Sequence, residues 1–214
     1  MKFLSRVLIL FSLMLFAGST VSAQALVLKD RSVLEFNIGM WGGSKVSNTI
    51  GISGVRTTAD VSLFVGNFVY AYNLREYMAV TLSAGVLAAG ASSNVGVLGV
   101  SQQAGTVVPI LLGMRYSVPY PEPGATVRPF LALGVGSYLG LESNSSVGLT
   151  VVQESHTETA FGGRGGVGAD FYVGNSFKFV ANAGYNLMAN FSAPVTGRMN
   201  YNGGDFSIGA GFAF

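Results

Sequence analysis

Hydrophobic and polar residues alternate along the chain in short runs with a period of two, which is typical of β-strands whose two faces lie in different surroundings. The clearest runs are Val33 to Trp41, Tyr77 to Ala89 and Gly204 to Phe214. In the first run every second residue from Leu34 to Met40 is apolar, and the residues between them are small or polar. These runs predict strands with one apolar face and one mixed face.

Five less regular runs complete a set of eight predicted strands. They are Asp60 to Tyr72, Thr106 to Val118, Thr126 to Gly140, Thr159 to Val173 and Phe177 to Ala189. In the first of these five, apolar residues occupy both faces, so the pattern leaves open which face points inward.

The connections between the predicted strands alternate strictly between long and short. The long ones, rich in Gly, Ser, Asn and Thr, are Gly43 to Ala59, Gly90 to Gly105, Leu141 to Glu158 and Asn190 to Gly203. The short ones are Asn73 to Glu76, Pro119 to Ala125 and Gly174 to Ser176. Long loops at one end, tight turns at the other and both termini at the tight-turn end are typical of outer-membrane barrels. The pattern predicts an all-β fold, an eight-stranded antiparallel up-and-down transmembrane β-barrel.

The N-terminus has the features of a secretory signal peptide. Lys2 and Arg6 precede an apolar stretch, and small residues before Gln24 predict cleavage after Ala23. We therefore expect residues 1–23 to be a signal peptide and residues 24–214 to form the barrel domain. Without the signal peptide, acidic and basic residues are equal in number, so the charge gives no indication of nucleic-acid binding.

Composition excludes several kinds of site. The chain has no cysteine, which excludes a disulfide framework, a thiol nucleophile and a cysteine-ligated metal. It is 50% hydrophobic and 10% charged, and its apolar strand faces are too extensive for a soluble lipocalin-like barrel, whose outer face is polar. No residue pattern implies a cofactor.

Aromatic residues are concentrated near the two ends of the predicted strands, where they would form interfacial girdles. Near the short turns and the C-terminus lie Tyr70, Tyr72, Tyr77, Tyr116, Tyr120, Tyr172, Phe177, Phe212 and Phe214. Near the long loops lie Trp41, Tyr138, Phe161 and Phe191. We expect the first set to form one girdle and the second set a sparser one.

The mixed strand faces place charged residues inside the barrel. The candidate lumenal charges are Glu35, Arg115, Arg128, Arg164, Asp170 and Lys178, accompanied by Asn37, Asn182, Asn186 and Asp205. Asp170 and Lys178 become diagonal neighbours across the hairpin at Gly174, whereas Arg164 lies roughly 20 Å from Asp170 along the same strand. Paired charges in so narrow a lumen would close and stiffen the barrel. The alternative is a charged constriction that selects permeating ions.

Several segments resemble a known family. Pro109 to Tyr116 followed by Arg128 to Gly136, Phe161 to Gly163 with Gly166 to Asp170, and the terminal Gly209 to Phe214 are similar to segments of the small OmpA/OmpX/OmpW-like outer-membrane barrels. The resemblance implies a bacterial outer-membrane location, contact with lipid and lipopolysaccharide, and insertion by the barrel assembly machinery. It also implies that Phe212 and Phe214 form part of the terminal assembly signal.

Some barrels of this kind modify lipid A, which makes the single histidine, His156, a candidate base. In an extended segment Ser155 points away from His156 while Glu158 shares its face, so the local sequence does not assemble a triad. We therefore expect a structural or surface-interaction role through the four long extracellular loops, without catalysis, cofactor or metal. The alternatives are a passive pore for small solutes or ions, a lateral route for apolar molecules through the wall and, least favoured, a lipid A-modifying enzyme. The sequence does not identify an extracellular ligand.

Overall fold

The computed structural model describes residues 28–42, 49–50, 63–96, 99–119, 126–147 and 151–214. The predicted signal peptide and its cleavage between Ala23 and Gln24 lie outside the described residues, as do most of the loop from Gly43 to Ala59 and Tyr120. Among the described residues, no helix is long and apolar enough to cross a bilayer.

Nine strands form one sheet. They are β1 (Ser32–Trp41), β2 (Thr49–Ile50), β3 (Leu63–Arg75), β4 (Met78–Gly96), β5 (Gly99–Ser117), β6 (Val127–Val147), β7 (Val151–Val173), β8 (Phe177–Met188) and β9 (Gly203–Ala213). All except β2 pair antiparallel with their neighbours in the chain, and β1 pairs with β9. The predicted eight-stranded antiparallel barrel is therefore confirmed. The short β2 lies outside the barrel and pairs in parallel with β4 at Asn94 and Val95.

Two of the predicted long loops are wrong in extent. The β4–β5 ladder continues to the pair Gly96 and Gly99, and the β6–β7 ladder to Val147 and Val151. Segments read as loops because they are rich in Gly, Ser and Asn thus extend four strands to 19–23 residues, against 10–13 in the other barrel strands. Composition misled here because a ladder is held by backbone hydrogen bonds, which do not require β-favouring side chains. We call the extended part of β4 to β7 the protruding sheet.

Side-chain exposure establishes which face of each strand meets lipid. On β1, Leu34 to Met40 point outward at every second position, and Glu35 and Asn37 point inward. The structure also resolves the strand left open by its pattern, because Phe64 and Phe68 of β3 point outward while Val65 and Val69 are buried. The outer surface is therefore an apolar band, as membrane insertion requires.

The predicted girdles are correct in part. The outward aromatics at the short-turn end are Tyr70, Tyr72, Tyr116, Phe177, Phe212 and Phe214. Tyr172, in contrast, points into the lumen. At the other end Phe161 faces outward, but Trp41, Tyr138 and Phe191 are 0–1% exposed and lie inside the barrel. Trp41 and Tyr138 belong to the inward face of their strands, so these three aromatics pack in the lumen rather than against lipid.

Candidate functional site

Four of the predicted lumenal charges form one cluster near the short-turn end. Glu35 of β1, Arg115 of β5, Asp170 of β7 and Lys178 of β8 are all buried. Lys178 Nζ lies 2.5 Å from Glu35 Oε1 and 2.9 Å from Asp170 Oδ2. Arg115 makes two hydrogen bonds to Glu35, that from Nη2 at 2.8 Å, and its Nη1 lies 3.6 Å from Asp170 Oδ2. We call this group the four-charge cluster.

The four-charge cluster connects strands on different sides of the barrel. Two carboxylates balance two cations, which offsets the cost of burying ions in the lumen. The ring of Phe130 lies 4.2 Å from Arg115 Cζ and adds a cation–π contact. The cluster therefore links β1, β5, β7 and β8 across the lumen through paired charges.

Arg128 lies beside the four-charge cluster, because it is the cross-strand partner of Asp170 in the β6–β7 ladder. Its Nη2 lies 3.9 Å from Glu76 Oε1, and its Cζ lies 5.8 Å from the centre of the Tyr172 ring. Leu28 is buried against Tyr172, and Arg31 donates hydrogen bonds to the carbonyl oxygens of Asn175 and Ala213. The segment before β1 therefore covers this end of the lumen and connects it to the final strand.

Arg164 occupies a second polar layer, nearer the long-loop end. It donates to Asp205 from Nε at 2.9 Å and from Nη2 at 2.5 Å, and to Asn182 Oδ1 at 2.7 Å. Asn186 donates to Asp205 Oδ2 at 2.7 Å, and the hydroxyl of Tyr138 donates to Asn186 Oδ1 at 3.0 Å. We call these five residues the Arg164 network. As the spacing along β7 requires, Arg164 and Asp170 belong to separate groups.

A glycine makes room for this network. A Cβ at Gly184 would collide with the guanidinium of Arg164, so the side chain lies directly against the backbone of β8. Between the Arg164 network and the four-charge cluster lies a cavity of about 70 Å³. Its lining includes Arg115, Thr81, Ser83 and Asn67, and this volume suits a few water molecules.

An apolar plug closes the barrel at the long-loop end. The plug consists of Trp41, Val65, Leu87, Val107, Leu111, Tyr138, Ala160, Met188, Phe191, Val195 and Tyr201. Phe191, Val195 and Tyr201 come from the β8–β9 connection, which folds back into the mouth. Burial raises the pKa of the Tyr201 hydroxyl, which stays protonated and donates to the Val195 carbonyl oxygen.

Two carboxylates hold the β8–β9 connection in place. Glu142 of β6 accepts a hydrogen bond from the Thr196 backbone N–H, and Glu158 of β7 accepts one from the Ser192 N–H at 3.2 Å. His156 Nε2 lies 2.7 Å from Glu158 Oε1, so the predicted shared face is correct, although both residues belong to β7 rather than to a loop. Among the described residues, no cluster of three His, Asp or Glu side chains could hold a metal.

Sequence reasoning missed the apolar plug and Glu76. The signal for the plug is present in the sequence, since Phe191, Val195 and Tyr201 are apolar or aromatic residues within a connection of polar composition. Glu76 was missed because it lies in a turn, where strand parity does not apply.

The terminal Phe212 and Phe214 point outward with stacked rings 6.5 Å apart.

Several solved structures of small outer-membrane barrels are similar in fold to this chain. The N-terminal β-barrel domain of Pseudomonas aeruginosa OprF is 14% identical over 87% of this chain and 98% of its own, with a TM-score of 0.47. Yersinia pestis Ail is 17% identical over 87% and 99%, with a TM-score of 0.46. Pseudomonas aeruginosa OprG is 14% identical over 88% and 97%, with a TM-score of 0.49.

No curated protein matches the chain in sequence. The family model described as outer membrane protein beta-barrel domain matches residues 11–214, which include all nine strands and every lumenal residue described above. A closed barrel with an apolar outer band and a polar lumen agrees with that match and with a place in the bacterial outer membrane. The chain belongs to the outer membrane protein beta-barrel domain family.

Proposed function

We propose that this barrel acts at the cell surface, through the structure at its long-loop end, and has neither a transport nor a catalytic role. The observation that carries the proposal is the protruding sheet. β7 pairs with β8 only from Gly162 to Val173, while Val151 to Phe161 continue beyond β8, paired with β6 alone. At roughly 3.3 Å per residue, this extension measures about 35 Å along the strand.

The protruding sheet has a free edge. Antiparallel residues direct their N–H and C=O groups to the two sides in turn. The carbonyl of Phe161 accepts from Ala189, on the side away from β6, so the backbone groups of Thr159, Thr157 and Ser155 point to that same side. Within the described chain, no strand pairs with them there. An edge of this kind supports pairing with an extended segment of a partner protein.

The side chains that occupy the lumen support the proposal that the barrel has no transport role. The four-charge cluster, the Arg164 network and the apolar plug occupy successive levels of the described lumen. An eight-stranded barrel is just wide enough for side chains to fill. A pore for solutes or ions, in contrast, needs a continuous water path.

A non-catalytic role fits the surroundings of His156. Its described polar partner is Glu158, whose other oxygen accepts a hydrogen bond from the backbone N–H of Ser192. A nucleophile needs its hydroxyl, rather than a backbone N–H, within reach of the base. We therefore assign the pair His156 and Glu158 to positioning the β8–β9 connection.

Single-channel recording tests the transport part of this proposal. Protein purified from outer membranes and inserted into a planar bilayer should give no conductance steps. Steps that change in ion selectivity in Arg115→Ala would instead support a pore.

Lipid A mass spectra from cells with and without the protein should be identical, and a difference of one acyl chain would contradict the absence of catalysis.

Shortening the protruding sheet tests the surface role. One variant replaces residues 91–104 and 143–157 by two-residue turns and leaves the membrane-spanning ladders intact. Outer-membrane vesicles carrying the full chain should bind extracellular proteins immobilised on a chip, and vesicles with the shortened barrel should lose that binding. Equal binding by both vesicles, or by vesicles lacking the protein, would reject the proposal.

A further inference from the structure

The β8–β9 connection is a small hairpin that enters the barrel mouth without joining the barrel ladder. The backbone N–H of Phe191 donates to the Met199 carbonyl oxygen, and Val195 and Arg198 exchange backbone hydrogen bonds at the tip. We call Phe191 to Tyr201 the plug hairpin. Its backbone pairs internally, whereas its polar contacts with β6 and β7 are made by the carboxylates of Glu142 and Glu158.

The tip of the plug hairpin is strained. Thr196 has a φ of 46°, a left-handed conformation that is unfavourable for a β-branched residue, and Gly197 follows with a φ of 78°. A two-residue hairpin turn with positive φ at both central residues sets this conformation, and the backbone hydrogen bonds between Val195 and Arg198 close it. The tip is also closely packed, because a Cβ at Gly105 would meet the Thr196 side chain and one at Gly140 would meet Val195. These two glycines of β5 and β6 form a niche for the tip.

The plug hairpin covers an apolar recess that contains an unused donor. The indole Nε1 of Trp41 is buried and has no hydrogen-bond partner among the described residues, in a side chain that is 0% exposed. The recess continues inward to the cavity, because Val65, Leu87 and Leu111 belong to the apolar plug and also line that cavity. The plug hairpin therefore lies over an apolar recess that is continuous with the cavity.

We propose that the plug hairpin is a movable closure, and that its displacement admits small uncharged solutes to a dead-end chamber formed by the apolar recess and the cavity. The charged side chains lining the cavity are paired, Arg115 with Glu35 and Arg164 with Asp205, so the chamber offers no net charge to an ion. The four-charge cluster lies below the chamber and closes it toward the short turns. Displacement therefore opens a binding site rather than a pore.

The chain contains its own reporter for this movement. Trp41 is the only tryptophan, and its ring lies 5.6 Å from that of Tyr201. Quenching of Trp41 fluorescence by acrylamide, a small uncharged solute, measures access to the chamber. Arg198 lies within the plug hairpin, so tryptic cleavage after Arg198, followed by mass spectrometry, measures how often the hairpin opens.

Removal of both carboxylate contacts should favour the open state. In Glu142→Ala/Glu158→Ala, we expect tryptic cleavage after Arg198 to be about tenfold faster or more, because each lost hydrogen bond changes the closed-to-open equilibrium severalfold. Acrylamide quenching of Trp41 should rise in parallel. Glu76→Ala is the matched control, since it removes a carboxylate at the opposite end of the barrel, and it should leave both rates unchanged. Unchanged rates in the double variant would overturn the proposal.

A disulfide distinguishes hairpin movement from general loosening of the barrel. The chain has no cysteine, and a Cβ built at Gly105 lies 3.4 Å from the Cβ of Thr196, close to disulfide geometry. Oxidised Gly105→Cys/Thr196→Cys, combined with Glu142→Ala/Glu158→Ala, should be protected from cleavage and quenching, and reduction should restore both. Cleavage that persists in the oxidised form would overturn the proposal. Conductance should be absent in every variant, and conductance steps on reduction would overturn the dead-end chamber.

Discussion

Glu35 has a central position among the buried side chains, because its carboxylate contacts Arg115 and Lys178 at once. Without its charge, two buried cations would share the single carboxylate of Asp170. Breaking a buried ion pair by removing one partner is far more costly than losing an exposed pair. The stability of the barrel should therefore depend strongly on Glu35.

We expect Glu35→Gln to lower the free energy of unfolding by about 3–5 kcal/mol, because it leaves an uncompensated buried charge. Urea unfolding of the barrel in lipid vesicles, followed by Trp41 fluorescence, measures the change. Glu76→Gln is the matched control, since that side chain is 47% exposed and its Oε1 lies 3.9 Å from Arg128 Nη2. Equal midpoints for the two variants would mean that the four-charge cluster adds little stability.

Strand parity explains which of these side chains could be found from the sequence. The inward position of all six candidate charges follows from alternation, and so does the diagonal contact of Asp170 and Lys178, which spans a hairpin of fixed length. The partners across the lumen could not be derived in this way. That Glu35 meets Arg115 depends on the tilt and stagger of strands far apart in the chain.

At the scale of elements, the extended strands change how the long-loop end is understood. Composition favours loops at Gly90 to Gly105 and Leu141 to Glu158, yet the ladders continue almost to the tips. The plug hairpin is the opposite case, because the predicted loop Asn190 to Gly203 stays outside the barrel ladder but buries three of its side chains. Tertiary packing decided both outcomes, and a period-two pattern does not report it.

Hydrogen exchange should reveal the free edge of β7 as an alternating pattern. The amides of His156, Glu158 and Ala160 point toward β6 and should be protected, whereas those of Thr157 and Thr159 should exchange at least about tenfold faster. Residue-resolved NMR of the barrel in nanodiscs measures these rates. Uniform protection would mean that another segment pairs with this edge, and uniformly fast exchange would mean that the β6–β7 extension does not form in solution.

At the scale of the whole molecule, Phe212 and Phe214 face lipid and contribute nothing to the packing of the lumen. A double variant tests the expectation, drawn from the family resemblance, that these two residues form part of a terminal signal for the assembly machinery. On that expectation, Phe212→Ala/Phe214→Ala lowers the amount of folded barrel in the outer membrane severalfold. Refolding from urea into detergent should change little. Heat-dependent gel mobility measures both quantities.

Phe206→Ala is the control for the terminal variant. It removes a phenylalanine from the same face of the same strand, at the opposite end of β9. Cells carrying Phe206→Ala should contain as much folded barrel as cells with the unaltered chain. If both variants reduce folded barrel equally, loss of lipid contact rather than a terminal signal would be the cause.

The unequal strand lengths also make the rim of the barrel asymmetric. β4 to β7 rise well above the mouth on one half of the circumference, whereas β1, β8 and β9 end near its level. A molecule that diffuses within the plane of the membrane therefore meets the protruding sheet when it approaches from one side. From the other side, the described strands that it meets end near the level of the mouth. The plug hairpin starts and ends at the low side, because it connects β8 to β9, and its tip packs against β5 and β6 on the tall side. The orientation of each barrel relative to its neighbours therefore decides what can reach the base of the hairpin.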